Sequence, residues 1–160
     1  MHIRHLNCLA LGKHYTNMRR PTINNKRVQT MQSLQTPTVG RVALQGFFHI
    51  KEKWSLDNQQ ARVLLGGISK TTFYRYRKLP EVTLQNETID RISYIFGIHK
   101  GLCILFPSEE RASQWIKRPN DGAPFKGGSA LDRMMQGQIS DLAAVRRYID
   151  AYAQGGIGNS

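Results

Sequence analysis

Acidic residues are missing from the first third of this 160-residue chain: none precedes Glu52. Cysteine is scarce. Only Cys8 and Cys103 occur, 95 positions apart, which excludes a disulfide framework and a zinc knuckle. The longest apolar run falls far short of the roughly 18 residues that cross a bilayer, so a soluble, cytoplasmic chain with no membrane association is expected. There is no heptad array, collagen-like period or single-residue tract. No GxSxG, P-loop or paired-carboxylate pattern appears, and 11 Asp and Glu are too scattered to suggest a general acid and base. His2, His5 and Cys8 are three apart but have no second cluster to complete a metal site, and His49 and His99 stand alone. The chain therefore reads as a binder, with no catalytic residue, metal or cofactor expected.

What is abundant is positive charge. Lys and Arg number 23, giving a formal charge of +12 and a pI near 10.2, which directs attention to a polyanionic partner. The excess is uneven: residues 1–38 carry +6, 39–106 carry +5 and 107–160 only +1. Halves this different are expected to meet different partners. Residues 1–38 are polar, rich in Thr, Asn, Gln and His, and lack any sustained apolar period; they read as a basic, disordered arm. Leu6–Leu11 is too short for a secretory h-region.

From Val39 the pattern turns helical. Val39, Val42, Ala43, Phe47, Ile50 and Trp54 recur at spacings of three and four, predicting one buried helix face. Asp57 or Asn58 can cap a short helix over 58–65, with Ala61, Leu64 and Leu65 inward. Gly66 and Gly67 supply a turn and Ile68 plugs the angle. Ser69 can cap a second helix over 70–79 that ends before Pro80. In that helix Phe73 and Tyr76 can pack inward. The candidate DNA-binding residues are Ser69, Lys70, Thr71, Thr72, Tyr74, Arg75, Arg77 and Lys78: Arg75 carries the planar fork that suits guanine O6 and N7, and the hydroxyls suit phosphates or base edges. A short helix, a glycine turn and a basic polar helix make the sequence form of a helix-turn-helix, and five cations fall within 70–91.

Leu84–Phe106 holds Ile89, Ile92, Ile95, Phe96, Leu102 and Phe106 at helical spacing, and Gly97 and Gly101 predict a split into two helices with Ile98 at the corner. Cys103 reads as a buried, inert thiol in an apolar run. After Pro107, Ser108 can start a helix with Ala112, Trp115 and Ile116 on its buried side. A loop rich in Gly and Pro follows, then a short helix capped by Ser129 and ended by Gly137. A final helix starts near Asp141 with the stripe Leu142, Val145, Ile149 and Tyr152, before a glycine-rich tail. The expected fold is all-α.

Residues 107–156 resemble the C-terminal domain of the Xre/MbcA/ParS antitoxin family, through Phe106-Pro107, Glu109-Glu110, Ala112, Trp115, Pro119-Asn120, Phe125, Gly127-Gly128, Leu131, Met134, Gly137, Val145 and the closing Gly-Gly. Leu64–Ser69 with the helix after it resembles that family's Xre-like helix-turn-helix. Two positions depart from the pattern: Ala130 stands where the family usually has proline, and 135–137 lacks the usual threonine. The basic arm over 1–38 lies outside the resemblance, which implies a DNA-binding domain over 39–106 and a toxin-binding domain over 107–160. The resemblance implies an antitoxin that binds operator DNA and occludes the active site of a cognate toxin, usually a RES-domain protein that consumes NAD. A homodimer is expected because a single helix-turn-helix seldom buries enough surface for tight binding alone. The candidate toxin-binding residues are Trp115, Pro119, Asn120, Phe125, Leu131, Met134 and Tyr152, with the tail residues Gly155, Gly156, Ile157 and Ser160 added because a glycine-rich backbone can enter a partner's cleft. The alternatives are a stand-alone helix-turn-helix regulator whose C-terminal part only dimerises, and an RNA-binding protein. The second is disfavoured because the aromatics form no stacking platform.

Overall fold

Most helices of this chain begin where a small polar side chain can satisfy free backbone N–H groups, each such cap contributing about 1 kcal/mol. The computed structural model describes residues 36–153. The expected metal-like spacing of His2, His5 and Cys8, nearly all of the basic arm, and the tail positions Gly155, Gly156, Ile157 and Ser160 lie outside the described residues. Thr36 caps α1 (Pro37–Lys53), accepting from Val39 N at 3.3 Å. Asp57 caps α2 (Asn58–Leu64) in a reciprocal box with Gln60, which settles the choice between Asp57 and Asn58. Ser69 caps α3 (Lys70–Lys78). After α4 (Asn86–Leu105), Ser108 caps α5 (Glu109–Trp115). Ser129 and Asp132 form a second box at the start of α6 (Ala130–Met134), and those hydrogen bonds hold the Asp132 carboxyl below its ordinary pKa. Ala130 is the first helical residue, the one place in a helix that also suits a proline. The last helix, α7 (Ile139–Ala153), starts two residues earlier than expected because Asp141 reaches back to accept from Gln138 N at 3.2 Å.

All regular elements among the described residues are helices, with one isolated bridge between Pro119 and Ser129. The buried apolar side chains form one continuous cluster, from Ala43 on α1 through Phe73 and Ile95 to Ile149 on α7. Val42 departs from the expected stripe: it is exposed, because the buried face of α1 runs through Gly40, Ala43, Leu44, Phe47 and Ile50.

The expected break at Gly97 and Gly101 does not occur, and α4 runs unbroken for 20 residues with Ile98 fully buried in its middle. The two glycines are points of close approach instead. A Cβ on Gly97 would coincide with the Arg146 guanidinium, and one on Gly101 would collide with Ile149 Cγ2, both on α7. Glycine here lowers helix propensity but lets two helices pack closely, and the packing outweighs the propensity. Cys103 departs from the expected buried thiol: it is half-buried and is not a free thiol, and its Sγ lies 3.8 Å from His99 Nε2.

His99 is buried beside Trp54, with ring centroids 6.0 Å apart. Burial is the main cause that lowers its pKa from 6.5 to about 4; His49 and Lys53 push the same way, and Glu109 opposes them. The unfolded chain therefore takes up a proton on this ring before the folded one does. Stability supplied by neutral His99 is complete above about pH 6.5 and should fall as pH drops towards 4. Thermal melts across that window check this: His99→Gln should flatten the slope, and an unchanged slope would contradict the assignment.

Candidate functional site

Two surfaces stand out, one in each half of the chain. The first is built by the turn between α2 and α3. Gly66 and Gly67 both take positive φ, 99° and 72°, where a side chain would be strained. Gly66 N donates to Val63 O and Gly67 N to Arg62 O, closing the end of α2. Arg62 Nε donates to Ile68 O at 2.7 Å and pins the far side of the turn. Phe73 and Tyr76 anchor α3 from below, and Arg41 Nη1 donates to Tyr76 O at 3.3 Å near its C-terminal end.

With that face buried, Thr71, Tyr74, Arg75 and Lys78 form the outward stripe of α3 at i, i+3, i+4 and i+7, and all four are exposed. Lys70 is exposed in the first turn. The other expected residues divide differently. Ser69 and Thr72 spend their hydroxyls on each other at 3.0 Å and on the cap. The Arg77 guanidinium lies 6.0 Å from the centre of the Phe48 ring, to one side of the stripe. Arg91, one of the five cations counted in the sequence, does not belong to this surface. It is buried, donates twice to Glu87 Oε1 and once, at 2.8 Å, to Gly137 O, and lies against Gly66.

The second surface gathers aromatic rings from α5, the 119–129 loop and α7. Trp115 is half-buried, stacked with Tyr148 at 6.2 Å and edge-on to Phe125 at 6.0 Å. Phe125 meets Tyr148 at 4.8 Å, and Tyr148 meets the exposed Tyr152 at 4.7 Å. Asn120 Nδ2 donates to the Tyr148 hydroxyl, and the Tyr148 and Tyr152 hydroxyls share a hydrogen bond at 3.2 Å that raises the Tyr152 pKa above its ordinary value. The loop is tied by Asn120 N to Gly128 O and by Gly127 N to Asn120 O. Lys126 and Gly127 take positive φ to make the bend.

Of the expected partner-binding positions, Trp115, Asn120, Phe125 and Tyr152 are thus brought together, and Pro119 is exposed at the loop entrance. Leu131 and Met134 are buried, and Phe125 shows only its edge; these three hold the face up from within the core. The sequence reading missed Tyr148. It stands four residues before Tyr152 and so shares its helix face, a signal hidden because the apolar stripe was traced through Ile149.

Residues 33–97 match the Xre-like helix-turn-helix domain of antitoxins, and residues 102–155 match the C-terminal toxin-binding domain of the Xre/MbcA/ParS antitoxins. The chain belongs to the Xre/MbcA/ParS antitoxin family. The uncharacterised protein y4oB of Sinorhizobium fredii is similar to this antitoxin at 45% identity over 112 residues, 70% of this chain and 84% of the relative. The two matched segments of the antitoxin are separated only by residues 98–101, inside α4. One helix therefore belongs to both, and it packs on α1 through Phe96 against Gly46 and on α7 through Gly97 and Gly101. Among its described residues no helix is long and apolar enough to cross a membrane, and no group of three or more His, Cys, Asp or Glu could hold a metal.

Proposed function

We propose that this antitoxin is a cytoplasmic homodimer that binds and neutralises a RES-domain, NAD-consuming toxin and represses its own operon by binding operator DNA. It acts by binding, without catalysis. In this reading residues 39–106 contact DNA, residues 107–160 contact the toxin, and the tail with Gly155, Gly156, Ile157 and Ser160 occludes the toxin's active site. The observation that carries it is the pairing of an exposed hydroxyl-and-cation stripe on α3 with an aromatic face built from Trp115, Phe125, Tyr148 and Tyr152, in a chain matched by both antitoxin domains.

On DNA, α3 enters the major groove with Arg75 and Lys78 foremost, and two copies read the halves of a palindrome. Arg75→Ala should weaken binding to the antitoxin's own promoter fragment by about 1–3 kcal/mol, with smaller losses for Lys70→Ala and Arg77→Ala. Gel shifts at constant salt measure this, and midpoints unchanged from the wild type in all three variants would remove the assignment. Co-expression with the neighbouring gene product tests the other half. A chain that neither retains that protein nor relieves its toxicity would be a regulator alone.

A further inference from the structure

The 107–160 segment is nearly neutral in sequence, but its exposed charges outside ion pairs are mostly positive. Ion pairs consume its acids. Asp141 binds Arg133 at 2.9 Å, Asp150 binds Arg146 at 2.7 Å, Glu109 binds Lys53 of α1 at 2.6 Å, and Asp132 is committed to the Ser129 cap. Only Glu110 and Asp121 remain outside such pairs. Four exposed cations, Arg111, Arg118, Lys126 and Arg147, have no carboxylate partner among the described residues; a fifth, Lys117, donates instead to the Ser55 carbonyl at 3.3 Å. Residues 1–35 and 154–160 hold no Asp or Glu side chain to supply one.

Sequence and backbone place these cations around the aromatic face. Arg111 is four residues before Trp115 on α5, and Arg118 follows in the turn closed by its N–H to Trp115 O. Lys126 adjoins Phe125 and is held at φ 53° by the loop, a conformation that costs a non-glycine residue energy. Arg147 adjoins Tyr148 on α7. Glu110 and Asp121 lie among these cations without being paired to them, so the rim is mixed but mainly positive. An apolar centre with a mainly cationic rim is the anatomy of a steered protein interface.

We infer that this face docks on a partner surface that is acidic around an apolar centre, the cations steering encounter and Trp115, Tyr148 and Tyr152 forming the contact. This deepens the proposed function and rests on it, the partner being the toxin. The test is stopped-flow association of the full-length chain with the RES-domain protein encoded beside it. Between about 50 and 500 mM salt the association rate should fall by about tenfold or more. The double variant Arg118→Glu/Lys126→Glu should associate about tenfold more slowly at low salt with a flattened salt dependence, and Arg147→Glu should act in the same direction. Dissociation rates, helical content and promoter binding should stay unchanged. Association indifferent to both salt and charge reversal, with the complex still forming, would overturn the inference and leave the proposed function standing. Loss of promoter binding in the charge variants would overturn it by turning the face towards DNA. No complex with the wild-type chain would remove the proposed function, and this inference with it.

Discussion

Gly40→Ala is expected to destabilise the protein by about 2 kcal/mol, the reverse of what helix propensity alone would give. Within a helix, alanine exceeds glycine by about 1 kcal/mol. Gly40 lies in the first turns of α1, and an added Cβ would overlap the carbonyl oxygen of Val82. That atom is backbone, in the link between α3 and α4, and Val82 N donates to Pro37 O at 3.2 Å. The segment cannot step aside without giving up that bond and the burial of Leu84, which is 2% exposed. A melting temperature lowered by roughly 5–10 °C would match. Gly67→Ala is the control: nothing lies within 4 Å of its Cβ, so only the positive φ opposes it, at about 1 kcal/mol. A Gly40→Ala protein that melts at or above the wild-type temperature would mean that α1 and the 79–85 link are not packed as described.

Arg91→Met should cost about 2–3 kcal/mol although it removes one charge from a strongly basic chain. The guanidinium is buried while its partner Glu87 is largely exposed, so the variant leaves no stranded carboxylate. What it strands is the Gly137 carbonyl, at the turn before α7, together with the packing of the side chain against Gly66. Arg91→Lys should recover little, since one ammonium cannot span Glu87 and Gly137 as the fork does. Because Gly66 begins the turn into α3 and Gly137 the turn into α7, hydrogen exchange should rise at both turns in the Met variant. Protection retained at both would show that the bridge is ornamental. Arg91 does not touch the outward stripe of α3, so its loss should lower stability and leave the salt dependence of DNA binding unchanged.

Local chemistry made much of this legible from the residues alone. Caps announce themselves by residue type, so the starts of α2, α3, α5 and α6 are visible at Asp57, Ser69, Ser108 and Ser129. The turn at Gly66–Gly67 and the inward pair Phe73 and Tyr76 follow from spacing, and with them the exposed cations of α3. Each depends on neighbours within four positions in the chain.

Where distant segments meet, sequence rules run out. Gly97 and Gly101 carry the letters of a helix break, yet Arg146 and Ile149, some 48 residues on, need the space a side chain would fill. Arg91 counts as a surface cation until Gly137 is placed beside it, and Val42 as a core residue until Gly40 and Gly46 turn α1 towards their partners. A charge tally near zero for the last third cannot reveal that three acids are consumed in ion pairs and a fourth in a cap. Periodicity, caps and charge runs specify an all-helical chain with a basic exposed helix and a second module of different charge. Tertiary structure decided which glycines pack, which cations remain exposed and which aromatics share a face, because those outcomes depend on atoms brought together from far along the chain.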